Sequence, residues 1–229
     1  MIRAGRSEEF NIWNYSKHMV DLYRSRAMDK VPEMTCSAQA AEILATESAP
    51  GDSVLDVGCG SGWFIHSLRR RSLGLSYTGL DKTSAFIDIG RTELPAFGVD
   101  PDVLVHGEVE YVQGQVDHVV CVNVLTNIDN WHRALDRMSA VARKSIILRE
   151  SIGPDSSYQF VTDEFLDPGA SLMVHVNRYS LQEISDFMSC RGFTTIAVVD
   201  RRTGGLAEDV IGYPHYWTFL VCRRAERIS

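Results

Sequence analysis

The 229-residue sequence has no long apolar run: its most hydrophobic stretch, residues 116–124, is broken by Asp117, His118 and Asn123. Roughly 20 consecutive apolar residues are needed to cross a bilayer, so no membrane partner is expected. Paired cysteines are also missing. The five present, Cys36, Cys59, Cys121, Cys190 and Cys222, form no CxxC pair and have no His partner at zinc-ligand spacing. That pattern excludes a disulfide framework and a structural zinc, and reduced thiols in a cytoplasm fit it best. Positive charge is scarce: 23 Lys and Arg stand against 30 Asp and Glu, a formal charge of −7. Binding a phosphate backbone depends on clustered cations, so nucleic acid is an unfavoured partner. The short basic runs at residues 69–71, 201–202 and 223–224 read as solvated faces, the first closing a helix where cations suit the dipole. Residues 1–11 carry Arg3, Arg6, Glu8 and Glu9 without an apolar core, unlike a secretory signal. No internal repeat or low-complexity tract is visible.

What is present is the composition of an ordinary globular chain, 45% hydrophobic and 23% charged. Its length suits one α/β domain with an extension. Ile12, Tyr15, Met19, Leu22 and Tyr23 recur at three- and four-residue steps, which predicts an amphipathic helix over residues 10–27. A second helix is expected from Ser37, read as its N-cap, through Ala41 and Leu44 to the breaker Pro50-Gly51. Residues 1–48 therefore read as a helical extension and residues 49–229 as the main domain. Strands are predicted at residues 53–57, 76–80, 103–106, 118–122 and 145–148, alternating with helical segments that end near Arg71 and Leu94. The helix after the fourth strand carries Trp131, Ala134, Leu135, Met138 and Val141 on one face. Near-continuous apolar strands imply a parallel sheet covered on both faces. Ser180 and Glu183 predict a capping box for a helix ending at Arg191, with Gly192 as its left-handed cap. Between the last two strands, residues 194–199 and 216–223, there is no room for a crossover helix, so an antiparallel pair is expected.

Chemistry concentrates in Val54-Leu55-Asp56-Val57-Gly58-Cys59-Gly60-Ser61-Gly62, a strand that turns into a helix through three glycines. Such a turn lets a ligand approach the backbone without meeting a Cβ. Trp63 stands where the third glycine of the dinucleotide fingerprint belongs, so the spacing does not fit NAD. Asp56 decides further. Two unit charges about 4 Å apart at an effective dielectric of 20 interact by roughly 4 kcal/mol, repelling a pyrophosphate and attracting a cation. S-adenosylmethionine offers a sulfonium and an ammonium in place of phosphates. The next strand ends in Asp81, where a carboxylate takes ribose hydroxyls, with Lys82 beside the adenine and Glu108 near its amino group.

In order and spacing, residues 54–62, 77–81 and 117–127 resemble the successive motifs of class I S-adenosylmethionine-dependent methyltransferases. The resemblance covers roughly residues 37–149. It implies a Rossmann-like seven-stranded, mostly parallel α/β sheet with an antiparallel terminal hairpin, helices on both faces and an N-terminal helical lid. It further implies that Gly58, Cys59, Gly60 and Gly62 admit the cofactor and that Asn123 and Val124 hold its methionine moiety. Residues 13–27 with 33–36 are similar to the lid of small-molecule methyltransferases. On that reading Tyr15, Tyr23 and Arg26 cover the cofactor, and Arg26 pairs with its carboxylate.

Methyl transfer is an in-line displacement, so positioning carries much of the work, and a hydroxyl acceptor usually needs a base. Candidates are His175 and His215, in the long connections 151–179 and 201–215, and Glu150 beside Arg149 at the tip of the fifth strand, with Asn127 after the fourth. His132 is read as facing solvent or capping a neighbour. No NPPY, DPPY or Pro-Cys follows the fourth strand and no acidic magnesium set is evident, so a small-molecule acceptor, no metal, and S-adenosylhomocysteine as coproduct are expected. The chain is read as a monomer or homodimer. Alternatives are an RNA or protein methyltransferase with a basic face at Arg201, Arg202 and Arg223, a noncatalytic cofactor-binding module, and a dinucleotide oxidoreductase.

Overall fold

The computed structural model describes residues 2–5, 13, 16–163 and 172–225. Helices α1 (Lys17–Ala27) and α2 (Thr35–Glu47) precede β1 (Ser53–Val57), α3 (Phe64–Arg70), β2 (Ser76–Asp81), α4 (Ser84–Glu93), β3 (Leu104–His106), β4 (Val116–Val122) and α5 (Trp131–Val141). Then come β5 (Ala142–Gly153), β6 (Phe160–Thr162), β7 (Met173–His175), β8 (Tyr179–Ser180), α6 (Leu181–Ser189), β9 (Phe193–Val199), β10 (Glu208–Val210), β11 (Tyr213–His215) and β12 (Trp217–Arg224). Seven strands form the central sheet in the order β3-β2-β1-β4-β5-β12-β9. Strands β1 to β5 are parallel neighbours, whereas β12 runs antiparallel to both β5 and β9. The two-residue β8 pairs with the end of β5 beside this path.

Alternation along the strands sends side chains to opposite faces. Leu55, Val57, Val119, Cys121, Ile146 and Leu148 enter one buried cluster with α5 and α6. Val54, Val120, Ile147 and Phe219 enter a second with residues of α1 to α4. On α5 the five apolar residues read from the sequence are all buried, each large one contributing about 1.5–3 kcal/mol by leaving water. Helix α2 shares the second cluster, and its buried Gln39 donates to Val199 O at 2.8 Å and accepts from Arg201 N at 2.8 Å. The extension is thereby tied to the sheet edge.

Three local expectations are corrected, and the long connections gain detail. Helix α2 starts at Thr35 with Met34 as N-cap, so Ser37 lies inside it and is buried. The Ser180/Glu183 box does not close: Ser156 Oγ donates to the Glu183 carboxylate and accepts from Ser180 N, an insertion from a distant loop. The fifth strand does not stop at Leu148 but continues through Arg149, Glu150 and Ser151, all fully buried, because each finds internal partners. The long connections 151–179 and 201–215 are partly folded, as the antiparallel hairpins β6-β7 and β10-β11. Helix α1 begins after Ser16, whose hydroxyl accepts from Met19 N, and the earlier part of the predicted helix, with Ile12 and Tyr15, lies outside the described residues.

Candidate functional site

Gly58, Gly60 and Gly62 all hold positive φ, +71°, +57° and +74°, between β1 and α3. The turn folds back onto β2: Gly58 N and Cys59 N donate to Leu80 O at 2.8 and 3.0 Å. A Cβ on Gly58 would stand 2.2 Å from the Val124 side chain, and one on Gly60 would stand 2.1 Å from the Tyr23 ring. Both backbone freedom and space therefore demand glycine there. Two sequence candidates from distant segments, Val124 and Tyr23, meet at this turn.

Two carboxyls stand beneath it. Asp81 accepts from Gly60 N and Thr83 N, each at 2.7 Å, and so holds the turn to the end of β2. Asp56, buried at the end of β1, accepts from Tyr77 Oη at 2.8 Å. Burial, reinforced by Asp81, pushes Asp56 up to about 7, against the pull of the Tyr77 hydrogen bond. Burial raises Asp81 too, and burial together with both acids holds the Cys59 thiol well above its usual range. Two acids that disfavour each other's charge in a dry setting are relieved by a cation.

Helix α1 lies over the same place. Tyr23 stacks on Phe86 with ring centroids 3.9 Å apart, and Ser61 Oγ donates to Tyr23 O at 2.8 Å. Burial pushes the Tyr23 hydroxyl up to about 12, although Arg26 draws it down. The Arg26 guanidinium stands 5.0 Å from the Tyr23 ring centroid and 5.3 Å from that of Trp63. Past the ends of β2 and β3, Lys82 and Glu108 face each other at 3.8 Å.

At the ends of β4 and β5, Asn123 adopts a left-handed φ of +59°. Its Oδ1 accepts from Arg149 Nη1 at 2.6 Å, and its carbonyl accepts from Asn127 Nδ2 at 2.9 Å. Glu150 is not free to act as a base. It is fully buried, and its oxygens accept from Val124 N, Leu125 N, Thr126 N and Thr126 Oγ1, so that it caps the turn after β4. His175 is half-buried against Phe160, with centroids 4.6 Å apart. His215 is buried on β11, its ring 4.9 Å from that of Trp217, and burial pushes it down to about 4. His132 is exposed beside Trp131. Val174 and Val176 form a small apolar cluster with Trp13, Met19, Ile211 and Tyr213, joining α1 to the two hairpins. Asp200 and Trp217, which both engage Arg149, were not singled out by motif or spacing. The one signal was Arg149 itself, a charge following an apolar strand.

A family model described as a methyltransferase domain matches residues 28–198, most of the chain. The chain belongs to the S-adenosylmethionine-dependent methyltransferases. Among curated proteins no sequence matches at a significant level. Solved structures with the same fold include a magnesium protoporphyrin IX methyltransferase from Synechocystis PCC 6803 with bound S-adenosylhomocysteine, at 14% identity and TM-score 0.61, covering 93% of this chain and 96% of that one. An S-adenosylmethionine-dependent methyltransferase from Clostridium acetobutylicum ATCC 824 aligns at 13% identity and TM-score 0.63 over 94% of this chain and 100% of that one. The glycopeptide N-methyltransferase MtfA, complexed with S-adenosylmethionine, aligns at 13% identity and TM-score 0.55 over 83% and 94%.

This methyltransferase uses S-adenosylmethionine, and the glycine turn with its paired acids fits that phosphate-free cation. Among its described residues, no group of three His, Cys, Asp or Glu is arranged to hold a metal ion, and no helix is long and apolar enough to cross a membrane. Five arginines of its basic runs are ion-paired, Arg70 with Asp29, Arg71 with Glu33 and Glu42, Arg201 with Glu42, Arg202 with Glu208 and Arg223 with Glu47, while Arg69 and Arg224 donate to backbone carbonyls.

Proposed function

We propose that this methyltransferase carries a methyl group to the hydroxyl or amine of a small-molecule acceptor. The observation that carries the reading is the apolar cluster joining α1 to both hairpins, which lies by the turn after β4 and the end of β5 instead of leaving an open basic face. The ion-paired arginines support it, since a nucleic-acid surface needs cations free to meet phosphates. The porphyrin and glycopeptide enzymes of the same fold are in keeping with it.

In this reading residues 49–229 form the catalytic domain and residues 1–48 the lid. Gly58, Cys59, Gly60 and Gly62 admit the methionyl backbone of the donor, Asp56 faces its positive charge and Asp81 takes the ribose hydroxyls. Lys82 and Glu108 border the adenine, Asn123 and Val124 the methionine, while Tyr23 and Arg26 close the roof, Arg26 toward the carboxylate. The bound donor supplies a methyl carbon already activated by its sulfonium. The protein's own work is to align the acceptor and exclude water. Of the acceptor-side candidates, His215 is kept neutral by burial and is a weak proton acceptor, the oxygens of Glu150 are occupied and the His175 ring lies on Phe160.

The test is incubation with radiolabelled S-adenosylmethionine and separated metabolite, RNA and protein pools. Label is expected in the metabolite pool. Label in macromolecules alone would reject the proposal.

A further inference from the structure

Residues 2–5 lie outside every motif, yet they are fitted against the loop that follows β3. Ile2 is 8% exposed and belongs to the first buried cluster, shared with Val109 and Val112, and Ala4 packs on that cluster too. Arg3 and Gln113 form an antiparallel bridge, Gln113 N donating to Arg3 O at 2.7 Å and Arg3 N to Gln113 O at 3.3 Å. Gly5 O accepts from Glu108 N at 3.0 Å. The close approach uses glycine on both sides. A Cβ on Gly107 would stand 2.7 Å from Ala4 Cβ and 3.0 Å from Gly5 O, and one on Gly5 would stand 3.2 Å from Tyr111 Cβ.

The loop they hold starts at the end of β2. Gly107 N donates to Asp81 O at 3.0 Å, which ties the loop to the acid assigned to the ribose. Arg137 on α5 donates to Val112 O and secures the far end. Glu108 stands between these two ties, buried, with its Oε2 3.8 Å from Lys82 Nζ. Two consecutive amides are therefore fixed by different segments, Gly107 by β2 and Glu108 by residue 5. A hydrogen bond weakens steeply as its geometry departs from linear, so a side chain that must meet a planar amino group needs its backbone fixed.

We propose that residues 2–5 are a positioning strap for the adenine of the donor: latched by Ile2 and by the bridge from Arg3 to Gln113, they hold Glu108 where its carboxylate accepts from the adenine amino group. The inference rests on the reading of Glu108 at the adenine given above and adds what keeps it there. Residues 2–5 act through Glu108 and not on the reacting groups.

The test compares S-adenosylhomocysteine with S-inosylhomocysteine by calorimetry on the full chain. The inosyl ligand carries a carbonyl in place of the amino group. One charge-assisted hydrogen bond corresponds to roughly tenfold or more in affinity, so the parent is expected to bind the adenosyl ligand at least about tenfold tighter. Glu108→Gln can donate to the inosyl carbonyl and should bring the ratio to about one or below. Ile2→Asp sets a carboxylate against the apolar cluster and unlatches the strap, so the ratio should fall toward the Glu108→Gln value, while Ile2→Val should keep the parent ratio. A chain lacking residues 2–5 should behave as Ile2→Asp does, and decides if that variant does not fold. Equal weakening of both ligands, or a parent-like ratio in every folded unlatched variant, overturns the strap and leaves Glu108 at the adenine. Loss of the fold in both unlatched variants makes residues 2–5 part of the core and overturns it as well. A parent ratio near one sinks the strap together with the place given to Glu108, whereas the small-molecule reading is decided separately by where the radiolabel goes.

Discussion

Alanine at Gly60 strikes the glycine turn where it is tightest. The residue holds φ +57°, and the added Cβ would stand 2.1 Å from the Tyr23 ring. A left-handed alanine costs about 1–2 kcal/mol. Pushing Tyr23 off Phe86, on which it stacks at 3.9 Å, forfeits about 0.5–1.5 kcal/mol more. Gly60→Ala should therefore lose about 2–3 kcal/mol of stability, with weaker binding of S-adenosylhomocysteine. Tyr23→Ala alone should lose about 2 kcal/mol, the stack together with part of the ring's burial. In the double variant the ring is already gone and only the backbone strain remains, so the combined loss should fall short of the sum by about 1 kcal/mol. Urea unfolding of the four proteins, followed by ellipticity at one pH, gives the coupling directly. Losses that add to within about 0.3 kcal/mol would refute the closure of Tyr23 over the turn.

Asp56→Asn bears on the buried acid. With a folded value near 7 against an ordinary 3.8, Asp56 contributes stability at low pH that is lost as pH rises from about 4 to 7. Without donor, the asparagine variant should gain on the parent in thermal midpoint across that window and plateau above it. Affinity for S-adenosylmethionine should rise through the same window in the parent and stay flat in the variant, and calorimetry showing equal slopes would count against the charge argument. Asp81→Ala removes charge-assisted hydrogen bonds worth about 1.5–3 kcal/mol each, so donor affinity should drop at least about tenfold; an unchanged dissociation constant removes Asp81 from the site. Glu150→Gln turns an NH2 group toward backbone N–H donors and should cost about 1–3 kcal/mol in urea unfolding while leaving the pH profile of turnover unaltered. A lost basic limb at full stability would instead make Glu150 the base.

The residues most legible in the sequence were those whose surroundings are local. Strand β1 runs over residues 53–57 as its apolar run predicts, and α5 buries the face its spacing assigns. The antiparallel pair also followed from chain length alone, since the connection before β12 has no room for a crossover helix. Where the partner was distant, the reading failed. Ser156 enters the α6 cap from a loop 24 residues upstream of Ser180, which no local rule anticipates. Hairpins β10-β11 and β6-β7 consist of three-residue strands, too short for a periodic signal, so the sequence marked these segments only as long connections bearing candidate side chains. In the glycine turn, Gly58, Gly60, Gly62 and Asp81 were visible as a motif. That Val124 and Tyr23 fill the space those glycines leave was not.

The polar tail of β5 shows why the fifth strand was read too short. Sequence patterning ends a buried strand at the first charge, because a charge in the core is normally costly. Here alternation turns that cost into control of the neighbouring loop. Arg149 points to the α2 side, alongside Ile147, and holds the Asn123 side chain, while Glu150 points to the other side and gathers the amides of Val124, Leu125 and Thr126. The turn after β4 is thus gripped from both faces of the sheet by consecutive residues of one strand. Its Val124 lies against Gly58, so the position of the glycine turn depends on β5 even though β5 touches none of the three glycines in register. A strand that must order a loop in this way cannot be apolar to its end, and an abrupt Arg-Glu-Ser after four buried residues marks the strand that holds that loop.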